Sequence, residues 1–222
     1  MLPSGSPIRG HRCLARGYVV RDLRRRARPA GGPVTIDGRL DEPAWALAVT
    51  GAEMTVLGTR APAPRLTTFR FLYTDQALLV AVECQTISGG RRVMATPVVK
   101  EHDGPVFTDE SVELYLQPQA SGPYYHFAAN ALGVQYEAQG MDATWNGEWT
   151  ARTAESDLGW QLEISIPYRT LGLTAPPRPG DNWRFNLCRN DRTYQKYWAT
   201  IYLTDHGYSP LLTTAISSVV KP

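Results

Sequence analysis

The feature that most constrains this chain is a two-residue alternation that recurs in separate short segments. In SVELYLQ, residues 111–117, Val112, Leu114 and Leu116 share one side, and Glu113, Tyr115 and Gln117 the other. In WQLEISI, Leu162, Ile164 and Ile166 oppose Gln161, Glu163 and Ser165. In LLVAVEC, Val80, Val82 and Cys84 oppose Leu79, Ala81 and Glu83; in NWRFNLC, Trp183, Phe185 and Leu187 oppose Arg184, Asn186 and Cys188. In YYHFAAN, Tyr124, His126 and Asn130 oppose Tyr125 and Phe127. Successive side chains of a strand point to opposite faces, so each segment reads as a strand with one dry face. The other faces either meet water or, where a sheet curves, form a ligand groove.

Turn residues separate these segments. RLTTFRFLYTD and QALLVAVECQT form a pair, as do YYHFAANALG with VQYEAQG and WTARTAES with LGWQLEISIPY. GYVVRDL, YWATIYL and the final SSVV add further strands. Helical signals are poor. EPAWALA supports one or two turns, with Asp41 as N-cap and Pro43 just inside, and PYRTLGL supports one turn after Pro167. Many strands with so little helix predict an all-β fold, an antiparallel β-sandwich of jelly-roll or immunoglobulin-like type with one or two short helical turns.

The length of 222 residues suits one such unit. Residues 1–17 read as a flexible basic leader, residues 18–222 as a single sandwich, and RRRARPAGGP as a charged linker. A hydrophobic fraction of 43% excludes general disorder. The net charge of +2 hides an asymmetry: residues 1–30 hold eight arginines against Asp22, a net +7, which leaves −5 on the rest. A nucleic-acid partner needs a basic folded face, so none is expected. No apolar run reaches the ~18 residues of a membrane span, and no membrane partner is expected. The N-terminus has no apolar signal-peptide core, so the chain as written is expected in the cytoplasm; a missing leader would make it secreted. Oligomeric state stays open. Of the three cysteines, Cys84 and Cys188 lie in apolar strands as small hydrophobes; a disulfide between them is allowed but not implied. No C-x-x-C occurs.

IDGRLDEPAWALA, inside the stretch of residues 34–48, resembles the opening signature of family-nine carbohydrate-binding modules and their relatives in the DOMON-like sandwich superfamily. LLVAVEC, TDESVELYLQP, YYHFAANALG, GWQLEISIPYRTLG and PGDNWRFNLCRND resemble, in order, the segments that follow it. The likeness runs from about residue 18 to about 205; TDHGYSPLL does not match the family's closing pattern. The resemblance implies a β-sandwich with a small-molecule or carbohydrate ligand at one face or its rim, a terminal sugar clamped by two tryptophans, and polar side chains nearby. It also implies that the opening motif is structural: Gly38 allows the turn, Trp45 packs beside it, and Asp37 and Asp41 are turn and cap residues. No cofactor is expected; structural calcium, bound by some relatives, is the minority reading.

Aromatic rings bind sugars because sugar C–H faces are apolar while hydroxyl edges need paired hydrogen bonds. Trp145 and Trp149, in the polar stretch GMDATWNGEWT, are candidates, although Trp149 could instead begin the next strand. Tyr197 and Trp198 are second candidates; Trp160 and Trp183 read as core. Glu113, Asn130 and Arg189 sit at matching family positions, and His126 shares a face with Asn130. Arg189 either clamps a ligand or forms an internal ion pair with Glu113 or Glu163. Three other activities stay in view. The first is a cofactor-independent cyclase or isomerase using Glu113, His126 or Arg189 for proton transfer. The second is a haem-binding domain with Met141 and either His126 or another residue as axial ligands. The third is a glycosidase, which needs two of Glu83, Glu113 and Glu163 at a defined separation.

Overall fold

The computed structural model describes residues 27–52, 54–56, 61–88, 90–92, 94, 96–178 and 181–193, together with the backbone of two later strands, 196–199 and 214–217. The strands are β1 Arg28–Pro29, β2 Thr55–Val56, β3 Thr67–Tyr73, β4 Ala77–Gln85, β5 Ile87–Ser88, β6 Arg91–Arg92, β7 Ser111–Gln117, β8 Tyr125–Asn130, β9 Gln135–Gln139, β10 Thr150–Ser156, β11 Gly159–Pro167, β12 Asn182–Asp191, β13 Lys196–Ala199 and β14 Thr214–Ser217. One sheet has five strands in the order β1-β3-β4-β11-β10. The second has seven, β2-β13-β12-β7-β8-β9, with β14 also paired to β12. All pairs in these two sheets are antiparallel except β1 with β3. Among the described residues, helix is limited to α1, Pro43–Leu47, and 3-10 turns at Val106–Thr108 and Tyr168–Leu171. This is the expected β-sandwich. Among the described residues no helix is long and apolar enough to cross a membrane.

The dry faces meet where the alternation puts them. Phe69, Val80, Val82, Leu162 and Ile164 of the five-stranded sheet pack in one cluster with Leu114, Leu116, Phe127, Phe185 and Leu187 of the seven-stranded sheet. Phe69, Phe71 and Phe185 interlock edge-to-face at 4.8–6.0 Å between centroids. Cys84 and Cys188 are both buried and are not joined by the disulfide that the sequence allows.

The opening motif lies on the other side of the five-stranded sheet. Trp45, Ala44 and Ala48 join Leu72, Leu79 and Ala81 in a second apolar cluster, flanked by Val34, Ile36 and Leu40. Glu163, on the outward face of β11, fastens it. One carboxylate oxygen accepts the backbone N–H groups of Asp37 (2.9 Å) and Gly38 (2.8 Å), and the other accepts the Trp45 indole N–H (2.8 Å). Gly38 has φ +95°, and a Cβ there would overlap the Thr153 backbone, so glycine is required twice over. Asp37 Oδ1 accepts the Arg39 N–H, a turn role.

Two expectations change. The N-cap of α1 is Glu42, not Asp41: the residue before a proline is held out of the helical region, and Glu42 has φ −66°, ψ 138°. Its carboxylate reaches back to the Thr35 N–H at 3.0 Å. The stretch read as a linker contributes an edge strand, because Arg28 and Pro29 pair in parallel with Leu72 and Tyr73. The last described strand is Thr214–Ser217, with Ser217 opposite Asn182, and the rest of the SSVV segment lies outside the described residues. The leader, residues 1–17, and GYVVRDL lie outside the described residues.

Candidate functional site

The outer face of the seven-stranded sheet carries the polar half of the alternation. Register sets Tyr115 of β7 beside His126 of β8, Glu113 beside Ala128, and Ala128 beside Tyr136 of β9. On the other flank Glu113 faces Cys188 and Ser111 faces Asn190 of β12. Directly opposite residues share a face, so these side chains converge.

Glu113 is the centre. It is 8% exposed. Its Oε2 accepts the Tyr115 hydroxyl at 3.1 Å, and its Oε1 accepts the Asn190 amide at 2.9 Å. His126 Nε2 lies 2.9 Å from Oε2, close enough to pair charge although the N–H is not aligned as a hydrogen bond. Burial alone would raise this carboxyl. His126, Asn190 and Tyr115 outweigh it and hold the group below its ordinary value of 4.5, as an anion at neutral pH.

Aromatic rings run across this face as a ribbon. Tyr124 leans on Tyr115 at 6.4 Å, and Tyr115 stacks on His126 at 4.1 Å with an interplanar angle of 9°. His126 meets the edge-on Tyr136 at 5.4 Å, and Tyr136 meets Phe107 at 5.7 Å. Tyr124, Tyr136, His126 and Phe107 are only partly buried. Burial pushes the Tyr124 and Tyr136 phenols up, so both remain neutral hydroxyl donors. The arrangement offers a floor of rings with an oriented carboxylate set into it. That combination suits a ligand with apolar faces and hydroxyl edges.

The residues singled out in the sequence are dispersed. Glu113 and His126 come together. Asn130 does not join them: its amide donates to Val99 O at 2.8 Å and Asp109 Oδ2 at 3.1 Å, and its oxygen accepts the N–H groups of Leu132 and Val134. It fastens the loop before β7 to the turn after β8. Arg189 is fully buried between the sheets and pairs with Glu110 at 2.7 Å and Asp191 at 3.6 Å. It also donates to the Thr67 hydroxyl and Gln85 O. Its internal partners are therefore Glu110 and Asp191 rather than Glu113 or Glu163. Every second residue of β12 points inward, and Arg189 follows Phe185 and Leu187.

Trp149 lies in the core cluster, its ring 5.1 Å from Phe127 and its indole N–H bonded to Glu137 at 2.8 Å. With 8% of its surface exposed it offers a ligand no free ring face. Trp145 is half-buried, resting on Tyr125 and Phe127 at the end of the sandwich. Tyr197 and Trp198 occupy register positions opposite Asn190 and Arg189, and their side chains lie outside the described residues. Trp160 and Trp183 pack in the core as expected. Glu83 and Glu163 stand on β4 and β11, in the sheet opposite Glu113, so neither pairs with it. Met141 Sδ accepts the Tyr124 hydroxyl at 3.4 Å, while His126 Nε2 faces Glu113. The reading by motif passed over Tyr115, Tyr124, Tyr136, Phe107 and Asn190. Alternation had placed Tyr115 with Glu113 and Tyr124 with His126, a signal that points to those two of the five.

Residues 60–155 match the sequence profile described as Carbohydrate-binding family 9. No curated protein matches. Among solved structures, a family 9 carbohydrate binding module from Caldicellulosiruptor kristjanssonii in complex with cellotriose is 18% identical, with 89% of this chain and 95% of that chain covered and a TM-score of 0.60. One from the same organism in complex with glucose is 17% identical, with 89% and 97% covered and a TM-score of 0.59. A Bacteroides uniformis protein is 16% identical over 87% of this chain and 97% of that one, with a TM-score of 0.60. The chain carries a sandwich domain like that of carbohydrate-binding modules of family 9.

Proposed function

We propose that this chain is a non-catalytic carbohydrate-binding module and that its ligand rests on the outer face of the seven-stranded sheet. The observation that carries the reading is Glu113: a nearly buried carboxylate held anionic beneath a ribbon of rings. Charge-assisted hydrogen bonds are about twice as strong as neutral ones, so an oriented carboxylate selects sugar hydroxyl pairs. His126 and Tyr136, both only partly buried, supply apolar surface on a rigid strand platform, and the buried Tyr115 ring backs His126. Solved neighbours of the same fold bind cellotriose and glucose.

Calorimetric titration with glucose, cellotriose and a broad sugar panel tests the proposal. Binding to at least one sugar is expected, weakened by Glu113→Gln and by Tyr136→Ala. No binding to any sugar at concentrations up to about 1 mM would sink it. Loss of binding in Trp145→Ala, with Tyr136→Ala behaving as the parent, would move the site to the loop before β10.

A second reading rests on the same carboxylate–imidazole pair. Glu113 and His126 are close enough to move a proton on a small substrate, as a cyclase or isomerase requires. Candidate ligands followed by NMR over long incubation separate the two. Unchanged ligand supports a binding module, and turnover lost in His126→Ala supports an enzyme.

A further inference from the structure

A second cluster lies at the edge of the same sheet, away from Glu113. His102 and Asp103 belong to the loop before β7, which is pinned along edge strand β9 by the Asp103 N–H to Gln135 O bond of 3.0 Å. Glu137 belongs to β9. His102 Nε2 lies 3.2 Å from Glu137 Oε1 and 3.5 Å from Asp103 Oδ1. One donor atom from each of the three residues falls within 4.8 Å of the others.

We propose that His102, Asp103 and Glu137 form a site for a divalent transition-metal ion of the Zn2+ type. Three observations argue for it. The first is spacing. Ligands at roughly 2.0–2.2 Å from a tetrahedral Zn2+ stand roughly 3.3–3.5 Å from one another, and the two distances from His102 Nε2 match that edge length. Any excess between the carboxylates closes by rotating Asp103, whose side chain is 39% exposed.

The second is charge. Two carboxylate oxygens converge on one imidazole nitrogen, and a single N–H can serve only one of them. A dication at the centre serves all three ligands and balances both acids. The third is the outer support. Glu137 is 2% exposed, and its second oxygen accepts the Trp149 indole N–H at 2.8 Å. This bond fixes the carboxylate's orientation, as partners of metal ligands commonly do, and turns Oε1 toward His102, with which it now shares a hydrogen bond of 3.2 Å that an ion would replace. The exposed side of His102 leaves open positions for water. Imidazole with carboxylates suits Zn2+ better than Ca2+, which takes six to eight oxygens.

The test uses full-length, metal-free protein with any purification tag removed. ZnCl2 is titrated by calorimetry, and Co2+ binding is followed by its visible absorption. The expected result is one ion per chain, not displaced by excess Ca2+. His102→Ala and Asp103→Ala are the diagnostic variants, because both residues are exposed and neither supports the core. Changing even an outer partner of a ligand costs roughly 10–100-fold in metal affinity, so each variant should weaken Zn2+ by at least about tenfold. Parent-like unfolding curves for both variants would assign that loss to the site. No stoichiometric binding, equal binding in parent and variants, or preference for Ca2+ would each overturn the proposal.

Discussion

Each sheet of this sandwich buries one glutamate on its outer face, and the two have opposite fates. Glu163, on the five-stranded sheet, is fully buried and receives three donors from one segment, Asp37, Gly38 and Trp45. Glu113, on the seven-stranded sheet, receives donors from side chains on two strands and keeps slight exposure. Burial pushes the Glu163 carboxyl up, and its donors recover only part of the cost. At Glu113 the neighbours more than offset burial. One carboxylate closes a fold; the other is an anion on a face that still reaches solvent. Burial of an acid marks no site by itself. What surrounds it, and whether a ligand can arrive, decides.

The largest break in that comparison should come from Trp45→Ala. Emptying the pocket over the five-stranded sheet is expected to cost about 3–5 kcal/mol in urea unfolding. Sugar affinity of the folded protein should be unchanged. Glu163→Gln should cost roughly 1–3 kcal/mol, because an amide NH2 would face donors that need an acceptor. It too should leave binding intact. A large affinity loss in either variant would mean that the two faces are coupled.

Glu113→Gln should invert the pattern. Sugar affinity is expected to fall about tenfold, equivalent to about 1.4 kcal/mol, with a smaller change in unfolding free energy. A variant as tight as the parent would remove Glu113 from the site.

The smallest effect is in pH. The folded-state pKa of Glu113 is lowered, so the unfolded chain takes up a proton first as pH falls. The stability it contributes is present above its ordinary 4.5 and is lost below that value. Glu163 is raised, so its contribution runs the other way and fades as pH rises through its folded-state value. Urea unfolding of parent and Glu113→Gln from pH 6 to 3 should show their stability difference shrinking only below about pH 4.5. A difference that is flat with pH would show that the neighbours do not hold Glu113 anionic.

Arg189 shows how the strand period decides between two readings. Its match to a family position left open a ligand clamp or an internal ion pair, and alternation along β12 sets it on the same side as Phe185 and Leu187, where it pairs with Glu110. The strand period was the better guide, because a sheet face is a physical constraint. Trp149 carries the same lesson: a polar stretch with glycine suggested a displayed ring, but Glu137, reached only through folding, takes its indole N–H.

While the structural role of the opening motif came from its resemblance to family-nine modules, the sequence by itself determined most of the strands, their dry faces, and the company of Glu113 with Tyr115 and of Tyr124 with His126. These follow from a period of two and from glycine and proline chemistry, which act between near neighbours. Only the tertiary structure decided that Tyr115 stacks on His126, that Asn190 completes Glu113, and that His102 and Asp103 meet Glu137. Those contacts depend on register between strands and on where a loop is pinned. Hydrogen bonds between residues far apart in the chain set both, and no local pattern encodes them.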